Sequence, residues 1–410
     1  MSAALSAHMP VLLVANNFPP VRGGSAAVYD SLARHSGRDV TVLAPRINYA
    51  DGLPIIGWRE HDRRAPYAII RLPLLRTIIN SPLRPSNRLF LALHDLLIRL
   101  RIVWALGRLI HANRPRAICI GELLASSWMV RLLRFLPGVR VVVYVHGEEI
   151  TTVERYDKLS RRRIQALRAA DAIIVVSRFT QRIVCDLIGP AAAARVTLLE
   201  NGVDTSRFTP APKCAQLQAL HGLAGHFVFV SVCRLLEKKG IDNALRAFAR
   251  LEPGHADCRY LIVGTGPYEP ELRRLALELG VADRVVFAGA VAESDLVEHY
   301  RLGDVFVMPN RQLANGDTEG FGLVFLEANA CGLPVIAGCD GGSLDAVTHD
   351  ANGLVVDGKS VEEIADAMRR LREDDALRQR IARTGIETAA RADWKQKARA
   401  FLRVCAGQTA

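Results

Sequence analysis

The stretch Phe227–Leu251, FVFVSVCRLLEKKGIDNALRAFARL, decides the fold. Its opening run, FVFVSVCR (227–234), is almost wholly apolar, rich in β-branched and aromatic side chains, and short. That pattern reads as a strand buried on both faces. A charged turn follows, and GIDNALRAFARL (240–251) then repeats apolar residues at helical spacing. Strand, loop and helix in this order make half of a parallel β-α-β unit, whose sheet carries helices on both faces.

The same alternation extends in both directions. Downstream, CRYLIVGTG, RVVFAGA, DVFVMPN, LPVIAG and GLVVDG read as strands, with helical patterns such as EPELRRLALELG between them. Upstream, VLLVANN (11–17), DVTVLAP, RAICIGE, RVVVYVHGEE and DAIIVVS form an earlier series, again separated by helical stretches. VTLLENGVDTSRFTPAP, with its Gly and Pro residues, joins the two series. The expected architecture is α/β: two Rossmann-like domains, 1–205 and 206–390, each doubly wound around a parallel sheet. Amphipathic helices follow from Val361, and the last (391–410) is expected to pack back onto the first domain. Ligands of such sheets bind beyond the carboxyl ends of the strands, which points to a cleft between the two domains.

Charge is divided unevenly over the 410 residues. Up to Thr205 there are 28 Lys/Arg against 15 Asp/Glu, and after it 25 against 27, so the whole excess of +11 belongs to the first half. One half therefore faces something anionic. No nucleic-acid module is recognisable, which ranks nucleic acid last among the partners. The eight cysteines are scattered without a CxxC pair and read as reduced thiols of a cytoplasmic protein. The N-terminus lacks the charged start of a signal peptide, and no window is apolar for the ~18–20 residues that a membrane-crossing helix needs.

Four loops at strand ends carry polar equipment. RGGSA (22–26) brings Gly23 and Gly24 to a helix start, where free N–H groups receive anions. In RLLEKKG, Arg234 and Lys239 bracket a turn and suit a diphosphate, with Lys238 an equally charged neighbour. VGTGPYEPEL places Gly264 in a GxG pattern, but Glu269 stands where a third glycine would, and no acidic ribose partner follows, which argues against a nicotinamide cofactor. In NGDTEGFGLVFLEANACGLPV (315–335), Glu319 precedes a short helix and Glu327 lies inside it. Eight residues is not a helical repeat, so the two carboxylates do not share a face. They suit different parts of one elongated ligand, with the N–H groups of Phe321, Gly322 and Leu323 between them. Glu327 sits among Phe325, Leu326, Ala328 and Ala330, where a carboxylate needs partners such as ribose hydroxyls.

In these loops the chain resembles the family 4 retaining glycosyltransferases, whose signature is E-x7-E and whose GT-B fold has two facing Rossmann-like domains. The likeness runs through GGSA, HGEE, VVSRFT, NGVDTSRF, RLLEKKG, GTGP, EGFGLVFLEANACGLPVI and GGSLDAV, in order along nearly the whole chain. It implies that Glu319 meets the donor sugar with the N–H groups of Phe321, Gly322 and Leu323, and that Glu327 meets the ribose. Arg234 and Lys239 would clamp the diphosphate, Gly23, Gly24 and Gly264 would line the donor site, and His146 would stand beside the sugar. Arg234, Lys239, Glu319 and His146 are thus the candidate catalytic residues. The resemblance further implies retention of anomeric configuration and no metal or other cofactor, the cations standing in for one. One departure is Asp345 in GGSLDAV, where many relatives carry glutamate.

The donor would be GDP-mannose or a UDP-hexose, and the acceptor a glycan or lipid-linked hydroxyl in cell-surface polysaccharide or glycolipid assembly. The first domain would bind the acceptor and the second the nucleotide sugar. Segment 88–116 mixes Leu, Ile, Phe and Trp with Arg88, Arg99, Arg101, Arg108, Arg114 and Arg116, and Arg161–Arg163 add a second cluster. Both suit peripheral contact with an anionic membrane surface. The alternatives are a nucleotide-sugar enzyme of another type, such as an epimerase, and a sugar-nucleotide-binding protein without turnover.

Overall fold

A computed structural model of the chain describes residues 11–78, 88–151, 160–251 and 256–408. It divides into two compact units. Unit 1 comprises Met1–Val176, Gln181–Leu199 and Trp394–Ala410, and unit 2 comprises Ser177–Thr180 and Glu200–Asp393.

Unit 1 holds seven parallel strands: β1 (Val11–Val14), β2 (Val40–Pro45), β3 (Ala68–Leu72), β4 (Ala117–Ile120), β5 (Arg140–Val145), β6 (Ala172–Val175) and β7 (Val196–Leu198). Their spatial order is β3-β2-β1-β4-β5-β6-β7. The sequence order reverses between β1 and β4, where Val14 pairs with Ile120. Strands β1, β4 and β6 are uniformly buried, as their uninterrupted apolar runs require. The two edge strands differ. β3 is largely half-buried and carries Arg71, which donates to Asp62 (2.8 Å) and to the Pro45 and Pro19 carbonyls (2.9 and 2.6 Å). β7 is half-buried throughout.

The helix Trp394–Cys405 belongs to this unit. Its Trp394, Ala398, Phe401, Val404 and Cys405 are buried, and it packs against the helix Gly24–His35 and β4. The long helix Arg88–Asn113 is apolar on two sides. Ile98, Ile102 and Leu106 face the core, while Leu93, Leu96, Leu97, Leu100 and Trp104 form a stripe that is about half exposed or more, reaching 64% at Trp104. Spacings of three and four residues put all five on one face. Arg101 and Arg108 lie exposed on the same helix, the latter over the Trp104 ring at 4.8 Å. The side chains of Arg88 and Arg161 lie outside the described residues. The second basic cluster differs from expectation: Arg163 is buried and donates to the Glu149 carbonyl rather than facing solvent. No helix among the described residues is long and apolar enough to cross a membrane.

Unit 2 repeats the design with six parallel strands: β8 (Phe227–Val232), β9 (Cys258–Val263), β10 (Val285–Gly289), β11 (Val305–Met308), β12 (Val335–Gly338) and β13 (Gly353–Val356). Their order is β10-β9-β8-β11-β12-β13, so the reversal falls between β8 and β11. The helix Ile241–Ala249 buries Ile241, Ala244, Leu245 and Phe248 at helical spacing. Amphipathic helices Val361–Glu373 and Asp375–Arg391 complete the unit, each capped by an acceptor side chain (Ser360 to the Glu363 N–H, Asp374 to the Leu377 N–H).

Candidate functional site

In unit 2 the polar groups gather beyond β8, β9 and β11. The chain leaves β8 at Cys233, exposes Arg234, and makes a tight turn at Glu237–Lys239 before the next helix. Gly264, leaving β9, explains how that loop is held. A Cβ there would sit 2.0 Å from the Cys233 carbonyl oxygen, and the residue has φ +122°. One loop therefore lies backbone on backbone against the loop of Arg234, tied by Leu235 N–H to Thr265 O (3.0 Å). The glycine of the GTG pattern fixes the arginine loop through this packing.

Both lysines of the turn reach the loop that precedes the Leu323–Ala330 helix. Lys238 donates to Asp317 (2.7 Å) and to the Thr318 carbonyl (3.3 Å), and Lys239 donates to the Glu319 carboxylate. Burial pushes the Glu319 carboxyl up, but the Lys239 and Lys238 charges and the Phe321 N–H outweigh it and hold it below the usual carboxylate range. Burial likewise works against the Lys239 charge, and the Glu319 carboxylate overcomes it, lifting the ammonium above the ordinary lysine value. Gly322, at φ +90°, caps the helix start without any side-chain bond, so the first turn presents its amides. From the other side, the Gly341–Gly342 turn after β12 closes on the Glu319 backbone, Gly342 N–H donating to Glu319 O at 2.8 Å.

Glu327 lies inside this helix, while Glu319 precedes it. Its Oε2 accepts from the Tyr300 hydroxyl at 2.6 Å. Burial raises the Glu327 pKa, and the Tyr300 hydrogen bond only partly offsets that. Unit 2 thus brings Arg234, Lys239, Gly264, Glu319, Phe321, Gly322, Leu323 and Glu327 to the carboxyl edge of one sheet. Tyr300 and Asp317, the partner of Lys238, complete the arrangement, and the sequence alone did not single them out.

Unit 1 carries Gly23, Gly24 and His146. Gly23 is the residue before the Gly24–His35 helix, and Asn17 folds over this start, its Nδ2 donating to Ser25 at 3.3 Å. His146 follows β5. Its Nε2 lies 2.7 Å from the Tyr29 hydroxyl, which gives its own proton to the Gly121 carbonyl. Nε2 must therefore be the donor, which leaves Nδ1 as an acceptor. The ring stacks on Tyr144 with centroids 5.0 Å apart, and burial lowers its pKa to about 3. It is neutral at physiological pH and offers a hydrogen bond, not a charge. Glu149 sets the turn after it, accepting from the His146 and Gly147 N–H groups at 2.7 and 3.0 Å. HGEE signalled a site in the sequence, but nothing there assigned this task to its second glutamate.

Comparison with known proteins shows the family and the fold. A family model described as "Glycosyl transferases group 1" matches residues 220–388, and one described as "Glycosyltransferase Family 4" matches 22–207. The chain is 36% identical over 371 residues to the GDP-mannose-dependent alpha-(1-6)-phosphatidylinositol monomannoside mannosyltransferase of Mycobacterium tuberculosis, covering 88% of each chain. It is 30% identical over 389 residues, 93% of each chain, to the GDP-mannose-dependent monoacylated alpha-(1-6)-phosphatidylinositol monomannoside mannosyltransferase of Corynebacterium glutamicum. Among solved structures, Anabaena Alr3699/HepE in complex with UDP and glucose superposes with a TM-score of 0.76 at 21% identity, over 97% of this chain and 100% of that one. Two parallel sheets of this order, with cations, carboxylates and helix-start amides at their carboxyl edges, define a GT-B glycosyltransferase that uses a nucleotide sugar. The chain belongs to glycosyltransferase family 4.

Proposed function

We propose that the chain transfers mannose from GDP-mannose, with retention of configuration, to a ring hydroxyl of a phosphatidylinositol mannoside-type glycolipid. The observation that carries this reading is the likeness to the two phosphatidylinositol monomannoside mannosyltransferases over 88% and 93% of the chain. In unit 2, Glu327 holds the ribose, Arg234 and Lys239 the diphosphate, and Glu319 with the Phe321, Gly322 and Leu323 amides the sugar. In unit 1, the amides at Gly23–Gly24 suit an anion and His146 Nδ1 suits a hydroxyl. In the reaction the C1–O bond to the β-phosphate breaks, and C1 bonds to the acceptor oxygen on the same face. The acceptor's proton passes to the departing phosphate oxygen, and GDP leaves. Lys239 and Arg234 stabilise the charge that develops on that phosphate, which is electrostatic catalysis without a metal.

The membrane is the expected workplace. The outward stripe Leu93, Leu96, Leu97, Leu100 and Trp104, with Arg101 and Arg108 beside it, suits the boundary between acyl chains and anionic headgroups on the cytoplasmic side. The test of the activity is to incubate the pure chain with GDP-mannose or UDP-glucose and phosphatidylinositol monomannoside in mixed micelles. GDP release that requires the acceptor, with an α-linked dimannoside product by NMR, is the expected result. Donor turnover with no glycolipid product, or with UDP-glucose alone, would overturn the proposal.

A further inference from the structure

The reversal of strand order in unit 1 falls between β1 and β4, and such switch points are where doubly wound sheets bind ligands. Continuing the pairing of Val14 with Ile120 by two places sets Asn16 opposite Glu122. Asn16 is only 3% exposed. Its Nδ2 donates to Ser126 Oγ at 3.2 Å, and its side chain also hydrogen-bonds the Glu122 carboxylate. Asn16 Oδ1, however, is buried without a partner. Arg76 approaches from beyond β3. Its Nη1 lies 3.7 Å from Glu122 Oε2, its guanidinium lies over the Tyr49 ring at 4.5 Å, and its Nε is likewise buried without a partner. Buried polar atoms are nearly always satisfied, so two on one site need an account.

Helix capping does not supply it. Glu122 occupies the position before the Leu123–Leu133 helix, yet its side chain makes no capping bond. Burial instead pushes its carboxyl up to about 7, against the pull of Arg76, and Glu149 and Glu148 add to the rise. Glu148 and Glu149 oppose Arg76 at Glu122, which disfavours a phosphate, and Arg76 disfavours an ammonium group. What remains is a neutral group that both gives and receives hydrogen bonds. Adjacent ring hydroxyls do this: one donates to Asn16 Oδ1, its neighbour donates to Glu122 and accepts from Arg76 Nε.

We propose that Asn16, Glu122 and Arg76 form a subsite in unit 1 for the vicinal hydroxyls of a cyclic polyol, the inositol or mannose ring of the acceptor headgroup. This rests on the reading that the acceptor is a glycolipid of that class, and it assigns the residues that recognise its ring. The test uses saturation-transfer NMR on the full chain saturated with GDP, with myo-inositol and methyl α-mannoside as separate probes. Wild type is expected to bind at least one probe, and the stronger arm identifies the ring. Glu122→Gln and Asn16→Ala are expected to weaken that binding about tenfold or more, the loss expected for a hydrogen bond to a charged or buried partner. GDP affinity should not change. Should Asn16→Ala fail to fold, Arg76→Met at the rim carries the same expectation. No binding of either probe to wild type, or equal binding by the folded variants, would overturn the subsite. In the transferase assay the variants should raise KM for phosphatidylinositol monomannoside by a similar factor, leaving donor KM near that of wild type. If wild type transfers nothing to the glycolipid while the variants still lose polyol binding, the acceptor reading fails and the subsite stands.

Discussion

Glu327→Ala tests the division of labour between the two glutamates. Tyr300 holds Oε2 at 2.6 Å, and on the proposed reading Oε1 is the oxygen left for a ribose hydroxyl. A hydrogen bond to a charged acceptor contributes about 1.5–3 kcal/mol. Burial of Glu327, visible in its raised pKa, already works against the charge and trims the gain from a second one. The expected loss is therefore about 2–3 kcal/mol, or a roughly 30- to 150-fold rise in the Kd for GDP. Glu327→Gln keeps a neutral acceptor and should lose about 1 kcal/mol. Titration calorimetry with GDP and with 2′,3′-dideoxy-GDP makes the test specific. Wild type should bind the dideoxy nucleotide about as weakly as the Ala variant binds GDP, and the variant should hardly distinguish the two. A variant that lost affinity equally for both nucleotides would show that Glu327 does not touch the ribose. The pH dependence gives a second check. The raised pKa means that acid protonates this carboxyl earlier than an ordinary glutamate, so GDP affinity should fall as pH drops through that raised value. The Gln variant should lack this limb, and Tyr300→Phe, which removes a donor to the ionised form, should move it to higher pH.

Four further outcomes follow from the same geometry. Glu319→Ala leaves the Lys239 ammonium buried and unpaired, which should cost about 3–5 kcal/mol in denaturant unfolding. Glu319 is depressed below 4.5 and Lys239 raised above 10.5, so that difference should be level between these values and shrink as pH falls through the folded Glu319 pKa or rises through the folded Lys239 pKa. Gly264→Ala would put a Cβ 2.0 Å from the Cys233 carbonyl at φ +122°, and should lower stability by about 3 kcal/mol, on the order of 10 °C in Tm, and weaken GDP binding by displacing the Arg234 loop. Turnover should persist in EDTA, and its abolition with recovery on adding a divalent ion would refute the metal-free mechanism. Co-sedimentation with phosphatidylglycerol vesicles at low salt should be strong for wild type and weak for Leu97→Asp/Leu100→Asp, and equal sedimentation of both would remove the stripe from any membrane role.

Most of the framework could be read directly from the chain, because a strand buried on both faces leaves an unbroken apolar run. Val11–Val14, residues 141–145 and Ala172–Val175 are of this kind. The edge strands of unit 1 are not readable this way. Ala68–Leu72 is interrupted by Arg71, which serves Asp62, and Val196–Leu198 looked like part of a connection because both its faces are only half covered. The same limit applies to the site. Glu319, Glu327, Arg234 and Lys239 stand out in the sequence because each lies in a local pattern with a chemical meaning. Tyr300 does not, since it acts across 27 residues from a neighbouring helix and the buried bond leaves no local trace. Asn16 and Glu122 are 106 positions apart and become neighbours only when strand order reverses in space.

The Lys239–Glu319 pair reconciles two demands that the sequence reading treated separately. One residue was assigned to the diphosphate and the other to the sugar, yet without a donor they hold each other. A buried lysine alone would shed its proton, and a buried glutamate alone would take one up, and neither form would serve the donor. Paired, both stay ionised, as their opposite pKa shifts require. On the proposed function, a diphosphate would give Lys239 a second anion on its remaining protons and sugar hydroxyls would give Glu319 donors on its remaining lone pairs, so neither need be released to be used. This also accounts for a carboxylate rather than an amide at position 319. Glutamine could accept a hydroxyl equally well, but it could not keep the lysine charged.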